Sequence, residues 1–330
     1  MKLVLFPLVA AGLWAGTDPK AAAEAEQGLA LAHAGKYELA IAHYRAARVL
    51  DPSLAGLDLN LGLAYFKLNR LPEAAAAFER AVKADPDSFQ ARVLLGMTDY
   101  GMSRFDAAAV HLKRAAEQQP ENLELRSKLA QCYLQTKRYP EAMTEFQFLL
   151  ARQPDSAPVH MLLGQVFDGA NREEEAIAEF EAAVKAGPRE PEAHFGLGYL
   201  YWKQKRFEEA RREFEAELAS QPRHAQALAY LGDIEMQSGD NQPAAGHLKQ
   251  AVKLDPRLRI AHLDLGIVLT ASGDASAAEG ELREAIRLDP MRPDAHYRLA
   301  RLFRSLGRER DAQAEFAKVQ ELGRNENAKP

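Results

Sequence analysis

Apolar residues along this chain recur three, four and seven places apart, in two runs separated by a polar break, and the pattern returns every 34 residues. Each run has the period of one amphipathic helix face, so the pattern predicts two helices per unit. The prolines set the phase: Pro52, Pro86, Pro120, Pro154, Pro188, Pro222, Pro256 and Pro290 each follow the last by 34 residues. With proline at unit position 32, nine units abut, namely 21–54, 55–88, 89–122, 123–156, 157–190, 191–224, 225–258, 259–292 and 293–326, leaving 327–330 as a tail. A proline there stops the second helix, because it lacks an N–H and clashes with the preceding turn. The other prolines inside the units test the parse. Pro158, Pro191 and Pro293 fall at positions 1 or 2, and Pro72, Pro140 and Pro243 at positions 18 or 19. Those are helix starts, where a missing N–H costs nothing.

Further columns follow without adjustment. Position 20 is alanine in every unit, from Ala40 to Ala312, and position 8 is glycine except for Ala130 and Ala300. Position 24 is always apolar: Tyr44, Phe78, Leu112, Phe146, Phe180, Phe214, Leu248, Leu282 and Phe316. Small residues at 8 and 20 predict close approach of the two helices of a unit, since larger side chains would wedge them apart. Position 28 is apolar from Val82 to Ile286, which predicts burial against the following unit. In the ninth unit Gln320 and Gln313 predict a polar, solvated end face that closes the array, with no appended domain expected.

The N-terminus departs from this lattice. Met1 and Lys2 precede an uncharged, mostly apolar run from Leu3 to Gly16, ended by Asp18. Such a run is too short to span a bilayer but fits a secretory signal, so residues 1–20 are expected to direct export to the periplasm or exterior of a bacterial cell. Candidate cleavage points follow Ala15 or the Ala21–Ala23 stretch. An uncleaved anchor or a simple apolar tail, with a cytoplasmic protein, are the alternatives.

Composition narrows the function classes. The chain has 330 residues, 47% apolar and 27% charged, with 42 Lys+Arg against 47 Asp+Glu, a net charge of −5. That balance lacks the basic field that supplies most nucleic-acid affinity, so DNA and RNA are not expected partners. A single cysteine, Cys132, excludes an internal disulfide framework and a cysteine-based zinc site; at position 10 it is expected to fill a small buried slot. No phosphate-binding glycine loop, His-Glu-x-x-His or Gly-x-Ser-x-Gly occurs. His160, His194, His262 and His296 share position 4 of their units. Helices pack about 8–10 Å apart, whereas zinc–nitrogen bonds are about 2 Å, so a ladder of one histidine per unit holds no shared ion. The acidic runs Glu173–Glu175 and Glu208–Glu209 open second helices, where they complement the helix dipole. No catalytic residue, metal, cofactor or small-molecule substrate is expected.

The recurring pattern Leu61-Gly62, Tyr65, Ala74, Phe78, Ala81 and Pro86, in phase over residues 21–326, resembles that of the tetratricopeptide repeat family. The resemblance implies an all-α fold, a right-handed superhelical solenoid of nine helix–turn–helix repeats. Two departures stand out. The family's large aromatic at position 4 is replaced by the four histidines, which are expected to fill the aromatic slot. Glu217 replaces the usual alanine at position 27, which predicts looser packing onto the next repeat.

The resemblance also implies that first helices line a concave face gripping a peptide or partner protein, with positions 2, 5, 9, 12 and 13 pointing into it. Those columns present Leu59, Leu63, Phe66, Val93, Met97 and Tyr100 in the second and third repeats, then Met161, Phe195, Tyr199 and Trp202 in the fifth and sixth. Arg301 and Arg304, with Arg298 beside them, make a basic end. Such a surface suits an apolar or amphipathic segment ending in acidic groups. The two-carboxylate clamp of chaperone-binding members is missing, with no Lys at position 5 and no Asn at position 9, and so is the asparagine ladder of sugar-transferase arrays. The expected function is therefore a non-catalytic, exported protein-binding scaffold. The alternatives are an assembly subunit of an envelope secretion, pilus or polysaccharide-export complex, and a regulatory subunit of a separate enzyme.

Overall fold

A computed structural model describes Trp14 and residues 17–327, and among these residues it contains eighteen α-helices and no strand. The first helices of the nine repeats are α1 (Pro19–His33), α3 (Leu57–Lys67), α5 (Phe89–Gly101), α7 (Leu123–Gln135), α9 (Ala157–Gly169), α11 (Ala193–Lys203), α13 (Ala225–Ser238), α15 (Arg259–Ser272) and α17 (Pro293–Ser305). The second helices are α2 (Tyr37–Leu50), α4 (Leu71–Ala84), α6 (Phe105–Gln118), α8 (Tyr139–Leu150), α10 (Glu173–Ala186), α12 (Phe207–Ser220), α14 (Asn241–Leu254), α16 (Ala275–Leu288) and α18 (Glu309–Asn327). This is the all-α helical-repeat fold expected of the 34-residue lattice.

The chain divides into two compact units. The first runs to Pro154 and includes Gln165–Arg172; the second comprises Asp155–Gly164 and everything from Glu173. Within the first, each helix from α1 to α8 packs on its successor in the chain. Within the second, the same holds from α10 to α18, and the first helices α11, α13, α15 and α17 also touch in sequence.

The glycine column has a sharper reason than general closeness. A Cβ at Gly62 would lie 2.5 Å from the Phe78 ring, at Gly28 2.7 Å from Tyr44, and at Gly266 2.7 Å from Leu282. Position 8 is thus the floor on which the position-24 side chain of the same hairpin rests, and Phe78, Phe146, Phe214, Leu248 and Leu282 are fully buried there. Alanines at position 20 are buried in every repeat.

Position 28 corrects an expectation. Of this column only Ala116 is buried, while Val82, Leu150, Val184, Leu218, Val252 and Ile286 are half-buried; one residue earlier, Ala47, Ala115, Leu149, Ala183, Ala251 and Ala285 are enclosed and Ala81 is half-buried. A step of one residue turns the side chain by 100° around the helix, enough to move it from the interface to its rim. Gln313 and Gln320 are exposed, as a solvated end face requires.

Turns between the two helices of a repeat come in two kinds. Gly35, Gly239, Gly273 and Gly307 take the left-handed conformation at position 15, whereas Asn69, Ser103, Lys137, Asn171 and Lys205 adopt it without glycine, at φ of 57° to 60°. The next residue is often an arginine lying over the position-11 ring, as Arg206 does at 4.1 Å over Tyr201 and Arg308 at 4.0 Å over Phe303.

Most of the expected signal segment, and with it the candidate cleavage point after Ala15, lies outside the described residues. Trp14 is the exception. It is 2% exposed, belongs to the core cluster of the first unit, and its indole N–H donates to the Ala55 carbonyl at 2.8 Å. Asp18 caps α1 by accepting from the Lys20 and Ala21 N–H groups, which places the Ala21–Ala23 stretch inside that helix.

Candidate binding surface

The expected groove residues do not share one environment. In the first unit, Leu59 and Leu63 are each only 6% exposed and belong to the core, so they offer no surface to a partner. The reason is α3 itself, which buries residues all round its circumference, including Leu57, Asn60, Leu61 and Tyr65. Phe66, Val93, Met97 and Tyr100 remain half-buried. Tyr100 is held by its hydroxyl, 2.7 Å from Gln131 Oε1, stands edge-on to Phe105 at 5.4 Å and lies under the Lys128 ammonium at 4.8 Å.

In the second unit Met161, Phe195, Tyr199 and Trp202 are likewise half-buried. The last three sit on successive turns of α11 and form an array with Tyr230 of α13. Phe195 and Tyr199 stack with centroids 6.4 Å apart, Tyr199 and Trp202 stack at 6.1 Å, and Trp202 meets the edge of Tyr230 at 4.8 Å. Beneath them Tyr230 stacks on the buried Phe214 of α12 at 5.6 Å, and Phe195 lies 4.6 Å from the His224 ring. Trp202 is pinned at its polar end, because its indole N–H donates to Asp233 Oδ2 at 2.6 Å, and the Gln237 amide donates to the same oxygen at 2.6 Å. One edge of this aromatic array packs within the repeats; the other meets solvent.

Two carboxylates border the array. Burial raises the Asp233 carboxyl above its ordinary value, partly offset by the donors from Trp202 and Gln237. Asp264 on α15 is raised well above the usual carboxylate range by burial and then by Asp233, and its Oδ2 has no hydrogen-bond partner among the described residues. Both acids, with Tyr199, bear on Tyr230, whose phenol is pushed up to about 12, chiefly by burial.

Tyr230, Asp264 and Arg298 all occupy position 6, outside the columns that point into the groove in the family, and of the three only Arg298 is expected at the surface from the sequence. Arg298, Arg301 and Arg304 are exposed along α17, with Arg304 5.5 Å from the Phe316 ring.

Glu217 meets the expected departure at position 27 with a polar contact inside its own repeat. It is fully buried, and its carboxylate turns into its own repeat to accept the Phe195 N–H at 3.1 Å, with the Gln221 amide as a second donor. The position-4 histidines fill their slot, with His194, His262 and His296 buried, and they also bond across it. Each Nδ1 meets a glutamate at position 23 of the same repeat: His160 with Glu179 at 2.6 Å, His194 with Glu213 at 2.7 Å, His262 with Glu281 at 2.6 Å and His296 with Glu315 at 2.6 Å. Cys132 fills its buried slot, where burial drives the thiol up to about 12 and keeps it protonated.

Comparison with known proteins bears on this arrangement. Profiles described as tetratricopeptide repeat match residues 100–166 and 269–329, and in a second form 59–98, 144–191, 161–216 and 195–259; a TPR repeat profile matches 28–69. No curated protein matches the chain. Among solved structures, YrrB, described as a TPR protein with an unusual peptide-binding site, is 20% identical over 54% of this chain and 91% of its own, with a TM-score of 0.47. A crystal structure of MamA is 20% identical over 51% of this chain and 98% of its own, at 0.45. A further MamA structure, MSR-1 C2, is 25% identical over 50% of this chain and 95% of its own, at 0.44.

Proposed function

The chain belongs to the tetratricopeptide repeat family, and from that premise we propose that it is a non-catalytic scaffold holding a partner protein segment against its first helices. The observation that carries this reading is the half-exposed aromatic array of Phe195, Tyr199, Trp202 and Tyr230 on α11 and α13. Large rings already fixed by stacking and by the Trp202–Asp233 hydrogen bond lose little entropy when a partner covers them. They are also the residue types that carry most binding energy at interfaces. The exposed arginines of α17 favour acidic groups at one end of the bound segment.

A photo-crosslinking residue at position 199 in the full-length protein should capture a discrete partner from native extract. Tyr199→Ala and Tyr230→Ala should then weaken that partner by about 2 kcal/mol each. Unchanged affinity in folded variants rejects the array as the contact surface. Export remains part of the proposal, on the charged start and short apolar run of residues 1–20.

A further inference from the structure

Position 4 holds a cation, arginine, in the third and fourth repeats. Arg126 shows its geometry: the guanidinium reaches back to the Pro120 carbonyl at position 32 of the preceding repeat and across to Glu145 Oε2 at 2.6 Å, at position 23 of its own. Arg92 makes the same reach to the Pro86 carbonyl at 2.7 Å. His194 and His262 stand in this slot with the same two partners. His194 places Nδ1 2.7 Å from Glu213 and Nε2 3.2 Å from the Pro188 carbonyl. His262 places Nδ1 2.6 Å from Glu281 and Nε2 3.1 Å from the Pro256 carbonyl.

A carboxylate and a carbonyl are both acceptors, so both ring nitrogens must carry hydrogen for both contacts to attract. A neutral imidazole supplies only one N–H and turns a lone pair on the other acceptor. We propose that His194 is a proton-operated staple, joining its repeat to the preceding one when charged and releasing the Pro188 carbonyl when neutral. The charged groups that act on His194 are both acidic: Glu213 and Glu217 of α12. For His194 the Glu213 hydrogen bond is the largest influence and holds the imidazole above its ordinary value, against burial. Its contribution to stability is therefore complete below about pH 6.5 and fades as pH rises through the higher folded value. The inference does not depend on what the groove holds.

The natural arginines supply the test. The variant His194→Arg carries a permanent cation in the slot, as Arg126 does. Thermal unfolding of the full-length protein from pH 6 to 9 should show a Tm that falls by a few degrees more for the natural chain than for the variant. Buried carboxylates common to both proteins cancel in the difference. Parallel curves overturn the proposal. If the arginine variant misfolds, His194→Gln decides: its Tm should lie below that of the natural chain at pH 6 and equal it at pH 9, and a variant as stable as the natural chain at pH 6 also overturns the proposal.

Discussion

The Glu217 carboxylate accepts the backbone N–H of Phe195 at 3.1 Å, so a fully buried acid on α12 completes the first turn of α11. The first N–H groups of a helix lack partners inside it, and here one is satisfied from a neighbouring helix. The same contact fixes the start of the helix that displays the aromatic array.

Glu217→Ala should therefore lower stability by about 1–3 kcal/mol, the cost of a buried donor left unpaired. Alanine is nonetheless the natural residue at this position in the adjacent repeats, Ala183 and Ala251. Denaturant unfolding of the full-length variant measures the loss. A neutral outcome would mean that the cap is dispensable.

Lys205 turns from α11 into α12 at φ 60°, a conformation costly for a residue with a Cβ. Gly239, Gly273 and Gly307 occupy the equivalent turn without that penalty. Lys205→Gly should raise stability by about 1 kcal/mol, while Gly239→Ala should lower it by a similar amount. Differential scanning calorimetry of both variants checks the pair of opposite signs.

Asp99 stands where other repeats place a ring beneath an arginine, and meets Arg104 at 3.8 Å. Burial outweighs that cation and pushes its carboxyl up to about 6. A folded value above the unfolded one means stability complete below about pH 4 and lost as pH climbs through 6. Asp99→Asn should flatten the fall in Tm between pH 4 and 7. Equal slopes for both proteins would show that Asp99 does not titrate in this range.

Trp14, in the apolar N-terminal run, is tied to the Ala55 carbonyl. In a chain that keeps this residue, Trp14→Ala should cost about 3–5 kcal/mol, as for other large core truncations. Intact mass of natively expressed protein reports whether it is kept: a mature chain beginning at residue 16 or 24 would lack it.

The helix pairs were readable because they depend on local chemistry. The prolines stop helices, and the alanines and glycines at positions 20 and 8 sit where the hairpin closes. The binding surface was only partly readable. Tyr199 and Trp202 lie half-exposed as their columns suggest, but Leu59 and Leu63, in the same columns, are buried in the first unit's core. Position within a repeat sets the direction of a side chain, and the neighbouring helices decide what covers it.

By itself the sequence determined the period, the number of helices and the face each turns inward, since all three follow from spacing along one chain. Only the tertiary structure decided which polar groups meet. The bond between His194 and Glu213 spans 19 residues, that between Trp202 and Asp233 spans 31, and Trp14 reaches Ala55 across 41. Such pairs require groups far apart along the chain to arrive within about 3 Å, a condition that the packing of the elements sets and periodicity does not encode.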